Sequence, residues 1–161
     1  MEKIEEQIKN TYEKAFFDLL EEKVKQEPPD YNWITKLYAE IKDKLTKLLK
    51  NTSSLHKEMN ESLDVQLFDQ MIRNNAFNGV DFYNLILYVF EKIKQFGSPQ
   101  RDQECDEKRD EIFELMKNNA TFAQIVPVFI KNSNFCIDKI YEDMHYFLNH
   151  PISKNIPTLK K

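Results

Sequence analysis

Glycine is almost missing from this chain. Gly79 and Gly97 are the only two in 161 residues, and six prolines complete the strong turn-formers. An all-β domain needs many more turn residues, so helix is favoured. Two isolated glycines also exclude a phosphate-cradling glycine loop. Cysteine is scarce too. Cys105 and Cys136 have no CxxC partner and read as buried free thiols. His56, His145 and His150 are scattered, and Glu142-x-x-His145 occurs once where a di-metal bundle needs such a pair twice. No HExxH or nucleophile elbow occurs. The expectation is no enzyme, no cofactor and no metal. The opening MEKIEEQIKN is charged and has no apolar h-region, so it is not a signal peptide. A cytoplasmic or nuclear, non-secreted protein is expected. Long apolar runs are also lacking. The longest, Leu85 to Phe90, is bounded by Asp81, Glu91, Lys92 and Lys94. A membrane span needs roughly 20 mostly apolar residues. Positive charge is outnumbered, Lys+Arg 23 against Asp+Glu 27. That argues against a general nucleic-acid binder, which needs clustered cations.

What is present is helical period. Apolar residues make up 41% and charged residues 31%, the balance of a globular chain. The first helix is predicted from about Ile4 to Gln26, with Ile4, Ile8, Tyr12, Ala15, Phe16, Leu19 and Leu20 on one face. Pro28-Pro29 stops it, and Asp30 is expected to cap the second helix, whose stripe runs from Trp33 to Leu49. Ser54 is the expected cap of a third helix from Leu55 to about Asn74. A turn at residues 74–79 should hold a left-handed Gly or Asn. Asp81 should cap the next helix, Val80 to Phe96, which is apolar nearly all round and therefore expected at the centre of a bundle. Gly97 should end it at positive φ. Ser98-Pro99 opens a highly charged helix, serine as N-cap and proline as first residue. Asn118-Asn119 breaks the chain, and Thr121-x-x-Gln124 is a capping box for a last helix reaching about Asn149. Pro127 should kink or split it. The fold class expected is all-α, a single bundle of about six helices over residues 1–150, with an extended or mobile tail at 151–161.

Three stretches together resemble the T-complex protein eleven family. They are Ala15 to Glu22 with the turn Pro28-Pro29-Asp30-Tyr31 and Ile41-Lys42 after it; Leu63-Asp64; and Ser98-Pro99-Gln100-Arg101-Asp102. The third is similar to the family's AP-x-RD signature after a long apolar helix. Gly97-Ser98 stands where another small pair is usual, and Phe16-Phe17 where an aromatic and Trp are common. The resemblance implies an all-helical, non-enzymatic protein linked to signalling. It supplies no catalytic residues. Compact members are implied in large DNA viruses, and the Lys/Asn bias suits such a source.

The functional expectation is a protein-interaction or regulatory adaptor whose partner surface is the first helix or the Lys-rich second. The alternative is nucleic-acid binding through a basic face of Lys36, Lys42, Lys44, Lys47 and Lys50. Arg101 is placed in the first turn of its helix, where the dipole disfavours a cation. Asp64 is its expected partner across the central helix, with Asp102 or Glu104 as local alternatives.

Overall fold

The computed structural model describes residues 2–149. Seven α-helices are present among the described residues: α1 (Glu2–Lys25), α2 (Asn32–Thr46), α3 (Ser54–Ser62), α4 (Val65–Arg73), α5 (Gly79–Phe96), α6 (Asp102–Lys117) and α7 (Phe122–Asn149). A 3₁₀ turn, Pro99–Arg101, leads into α6. The protein is an all-α helical bundle. The tail expected at 151–161 lies outside the described residues.

The helices begin where local chemistry lets them. Ser98 accepts the Gln100 N–H at 3.3 Å with Pro99 at the first helical position. Thr121 and Gln124 exchange the two bonds of a capping box, at 2.9 and 3.3 Å. These bonds satisfy N–H groups that have no partner inside the helix. Two asparagines, Asn75 and Asn119, take the left-handed conformation at φ 53 and 61, ending α4 and α6.

Several boundaries differ from expectation. Ser53 rather than Ser54 caps α3, accepting the His56 N–H at 3.0 Å. Asn78 caps α5, and Asp81 is the third residue of a capping box, returning a bond to the Asn78 N–H at 3.1 Å. Asp30 accepts the Asn32 N–H at 3.0 Å, one residue before the Tyr31 cap position. Gly97 sits at φ −87 and ψ 173, extended backbone rather than left-handed. A Cβ there would crowd the Ile93 carbonyl of the last turn of α5 at 3.1 Å and would meet Ile140 Cγ1 at an ordinary 3.5 Å, so glycine relieves crowding against the helix's own end. The helix expected over Leu55 to Asn74 is two. Leu63 leaves helical geometry at φ −98 and ψ 66, and the Asp64 carboxylate restarts the chain by capping α4 through the Leu67 N–H at 3.0 Å. Conversely, α7 runs unbroken past Pro127.

One cluster of buried side chains joins the bundle. The helix expected at the centre, α5, is buried along Phe82, Ile86, Val89, Phe90 and Ile93, while Val80 and Tyr83 face solvent. It shares the centre with α7, which packs against α1, α2, α5 and α6. The reason is length: α7 keeps its apolar face from Ile125 to Ile140, enough for several neighbours. Aromatic rings stitch the far end, with Phe82 edge-on to Phe129 and Phe77 edge-on to Phe68 at 5.5 and 5.2 Å. The buried Asn132 donates to the Lys108 carbonyl and to Glu111, both at 2.8 Å. A buried amide needs such partners, and these fasten α7 to α6.

Candidate functional site

The three short motifs occupy three different turns. In the first, Pro28-Pro29 follows the end of α1 and Asp30 ties back to it. The Asp30 N–H donates to the Lys23 carbonyl at 2.9 Å, and its carboxylate faces the Lys23 ammonium at 3.6 Å. Tyr31 packs against the core. This motif sets the angle between α1 and α2. In the second, Leu63 is buried and Asp64 is the cap just described.

The third motif makes the tightest polar corner. Arg101 Nε and Nη2 donate to the two carboxylate oxygens of Asp143 on α7, at 3.1 and 2.8 Å. Glu104 stands behind at 3.7 Å. The Arg101 hydrogen bond holds the Asp143 carboxyl below its ordinary range. The tie expected to Asp64 is therefore replaced: Asp64 is engaged at the start of α4, and Arg101 fastens the start of α6 to α7. A planar fork suits this pairing better than a point charge. Asp102 opens α6 beside a cavity of about 20 Å³, which Cys105 and Cys136 also line. That space holds about one water. Both thiols are buried and free, as the spacing predicted. The shared hydrogen bond with Cys105, followed by burial, pushes the Cys136 thiol well above its usual range.

The lysines of the second helix do not share one condition. Lys36 is exposed and lies over the Trp33 ring at 5.0 Å, and Lys50 is exposed beyond the helix end. Lys44 faces Asp138 at 3.3 Å, Lys47 faces Asp43 at 2.8 Å, and Lys42 is half-buried.

The largest departure lies on α1. Its predicted apolar face is mostly uncovered. Ile4, Ile8, Tyr12, Phe16 and Leu19 are exposed, Tyr12 by 75%, and only Leu20 and Val24 are buried. The helix touches α7 along the adjoining flank of that face, through Leu20, Val24 and the half-buried Phe17. Trp33 of α2 extends the exposed stripe, edge-on to Phe16 at 6.5 Å. Contiguous apolar patches above a few hundred Å² mark interaction surfaces.

Sequence reasoning missed Asp143. Its signal was a carboxylate between Ile140 and Met144, on the border of an apolar stripe. It also missed the network between α2 and α4. Arg73 donates to Asp69 at 2.9 Å and to Asn32 at 2.8 Å, and Thr35 donates to Asp69. Burial pushes the Asp69 carboxyl up, but the bonds from Thr35 and Arg73 outweigh it and hold the group below its ordinary range. Among the described residues no group of metal-ligating side chains is assembled. No helix among them is long and apolar enough to cross a membrane.

No solved structure matches this chain. A human T-complex protein 11 homolog is 32% identical over 101 residues, which cover 62% of this chain and 20% of that protein. The chain thus spans about a fifth of the human relative's length. The family model described as T-complex protein 11 matches residues 1–133. With that match over most of the bundle, and with its three short motifs each placed at a helix junction, the chain belongs to the T-complex protein 11 family.

Proposed function

We propose that this protein is a non-enzymatic interaction or regulatory adaptor of the cytosol or nucleus, and that α1 is its partner surface. One observation carries the reading. Ile4, Ile8, Tyr12, Phe16 and Leu19 of α1, with Trp33 of α2, form an exposed apolar stripe beside the flank that packs on α7. Burying a single such side chain in a partner is worth roughly 1.5–3 kcal/mol. Anchors of this kind, tyrosine and tryptophan above all, dominate protein interfaces. The motif residues Pro28 to Tyr31, Leu63-Asp64 and Pro99 to Asp102 serve the scaffold by fixing helix junctions.

The test replaces Ile8 and Tyr12 by glutamate and places a photo-reactive cross-linker at Leu19. Both replaced side chains are exposed, so circular dichroism should not change. The wild-type stripe should cross-link to one defined protein, and the double variant should lose it. Retention of the same cross-link by the double variant overturns the assignment to α1.

A further inference from the structure

A second surface, apart from α1, lies between α4 and α5. Residues of both helices line an open cleft of about 320 Å³ there. Its walls are Leu67 and Met71, one turn apart on α4, and Leu85 and Tyr88 on α5. Its floor includes Phe68, stacked on Tyr38 at 4.3 Å. Leu67 is exposed by 52%, although it belongs to the apolar face of its helix. The charges belong to the starts of these helices, Asp64 as the α4 cap and Asp81 as the third residue of the α5 capping box. Asp64 and Asp81 line the cleft, and no lysine or arginine does. Each carboxylate accepts one bond from a backbone N–H, Leu67 at 3.0 Å and Asn78 at 3.1 Å, and keeps further acceptor positions. Glu58 adds a third carboxylate near one wall, accepting from Tyr88 at 3.3 Å. Lys92 stands over the Tyr88 ring and donates to Gln95 at 3.4 Å, outside the lining.

We propose that this cleft takes a short basic amphipathic helix from a partner protein, its apolar face between Leu67 and Leu85 and its cations over Asp64 and Asp81. The shape argues for a helix. From Asp81 to Tyr88 the α5 wall rises roughly 10 Å, two turns of a guest helix laid alongside. Grooves of this kind are read by anchors at helical spacing. The charge argues for lysine or arginine, since both carboxylates are present and uncompensated by any cation in the lining.

The experiment uses the full chain and two labelled peptides of about 14 residues, one of leucine and lysine at amphipathic spacing, the other with glutamate for lysine, read by fluorescence anisotropy. The lysine peptide should bind at least about tenfold more tightly than the glutamate peptide, a factor that corresponds to 1.4 kcal/mol. The double variant Asp64→Asn, Asp81→Asn removes the charges but keeps amide oxygens that can accept from the Leu67 and Asn78 backbone N–H groups. It should weaken the lysine peptide about fivefold, as two exposed ion pairs allow. Leu67→Arg should abolish binding. Glu40→Gln with Glu114→Gln, which removes two exposed charges elsewhere, should leave binding unchanged. Equal binding of both peptides, or equal loss in the Glu40/Glu114 variant, overturns the proposal. So does a dimer of the chain that Leu67→Arg dissolves, because a second copy would then fill the cleft. All of these variants leave the α1 stripe intact, so this outcome and that of the α1 test are separable.

Discussion

Replacing Asp143 by alanine tests how the start of α6 is held. The change removes both acceptors of the Arg101 fork, at 3.1 and 2.8 Å, and leaves Glu104 at 3.7 Å. The two side chains are 39% and 38% exposed, so water screens the pair. Exposed ion pairs contribute roughly 0.2–1 kcal/mol, and the two-bond geometry places this one near the top of that range. For a chain of this length about 1 kcal/mol moves the melting temperature by about 2–4 °C. The pH dependence has a definite sign. The Arg101 hydrogen bond lowers the Asp143 carboxyl below its ordinary 3.8 in the folded state. As pH falls, the unfolded chain therefore takes up its proton first. The contribution is fully present above that ordinary value and is lost as pH drops through the lowered one. The assay is urea unfolding of wild type, Arg101→Ala, Asp143→Ala and the double variant, at pH 7 and at about pH 3. A coupling energy of about 1 kcal/mol is expected at pH 7, shrinking at the lower pH and in 1 M salt. No coupling at pH 7, or a coupling that grows as acid is added, refutes the reasoning. A coupling of roughly 3–5 kcal/mol would mean a buried pair, and would refute the exposure on which the magnitude rests.

Asp64→Ala should cost about 1 kcal/mol through loss of the α4 cap, and Asp64→Asn almost nothing; chemical denaturation separates them, and neither should couple to Arg101→Ala. Gly97→Ala presses a methyl to within 3.1 Å of the Ile93 carbonyl and should cost roughly 1–3 kcal/mol by calorimetry; an unchanged melting temperature would mean that the last turn of α5 yields freely there. Phe90→Ala, at a fully buried position on α5, should cost roughly 3–5 kcal/mol in the same measurement. Ser133 Oγ is buried without a hydrogen-bond partner among the described residues, so Ser133→Ala should be neutral or stabilising by up to about 1 kcal/mol; a clear loss of stability by urea titration would point to a bond this hydroxyl makes in solution.

The sequence by itself determined what is local. Helical period placed the helices, because residues three and four apart share a face whatever lies opposite. The Ser98-Pro99 start, the Thr121–Gln124 box and the breaks at residues 74–79 and Asn118-Asn119 were legible because each is satisfied within a few residues, although which residue turns left-handed, Asn75 and Asn119, was not. The caps misplaced by one or a few positions, at Ser53 and Asn78, failed among neighbouring polar residues of equal capping ability. Only the tertiary structure decided what covers a face. The stripe of α1 has the period of a buried face, yet α7 meets only its flank and C-terminal end, at Phe17, Leu20 and Val24. Periodicity records that apolar residues are aligned, and burial depends on whether a neighbour arrives. In the same way Arg101 announced a need for an anion, but its partner lies 42 residues away on α7. Gly97 announced freedom of backbone, and the Ile93 carbonyl 3.1 Å from where a Cβ would stand shows that the need was for space. The coverage of α1 and the partner of Arg101 depend on where two distant helices cross, a sum over many weak contacts that no short stretch of sequence contains.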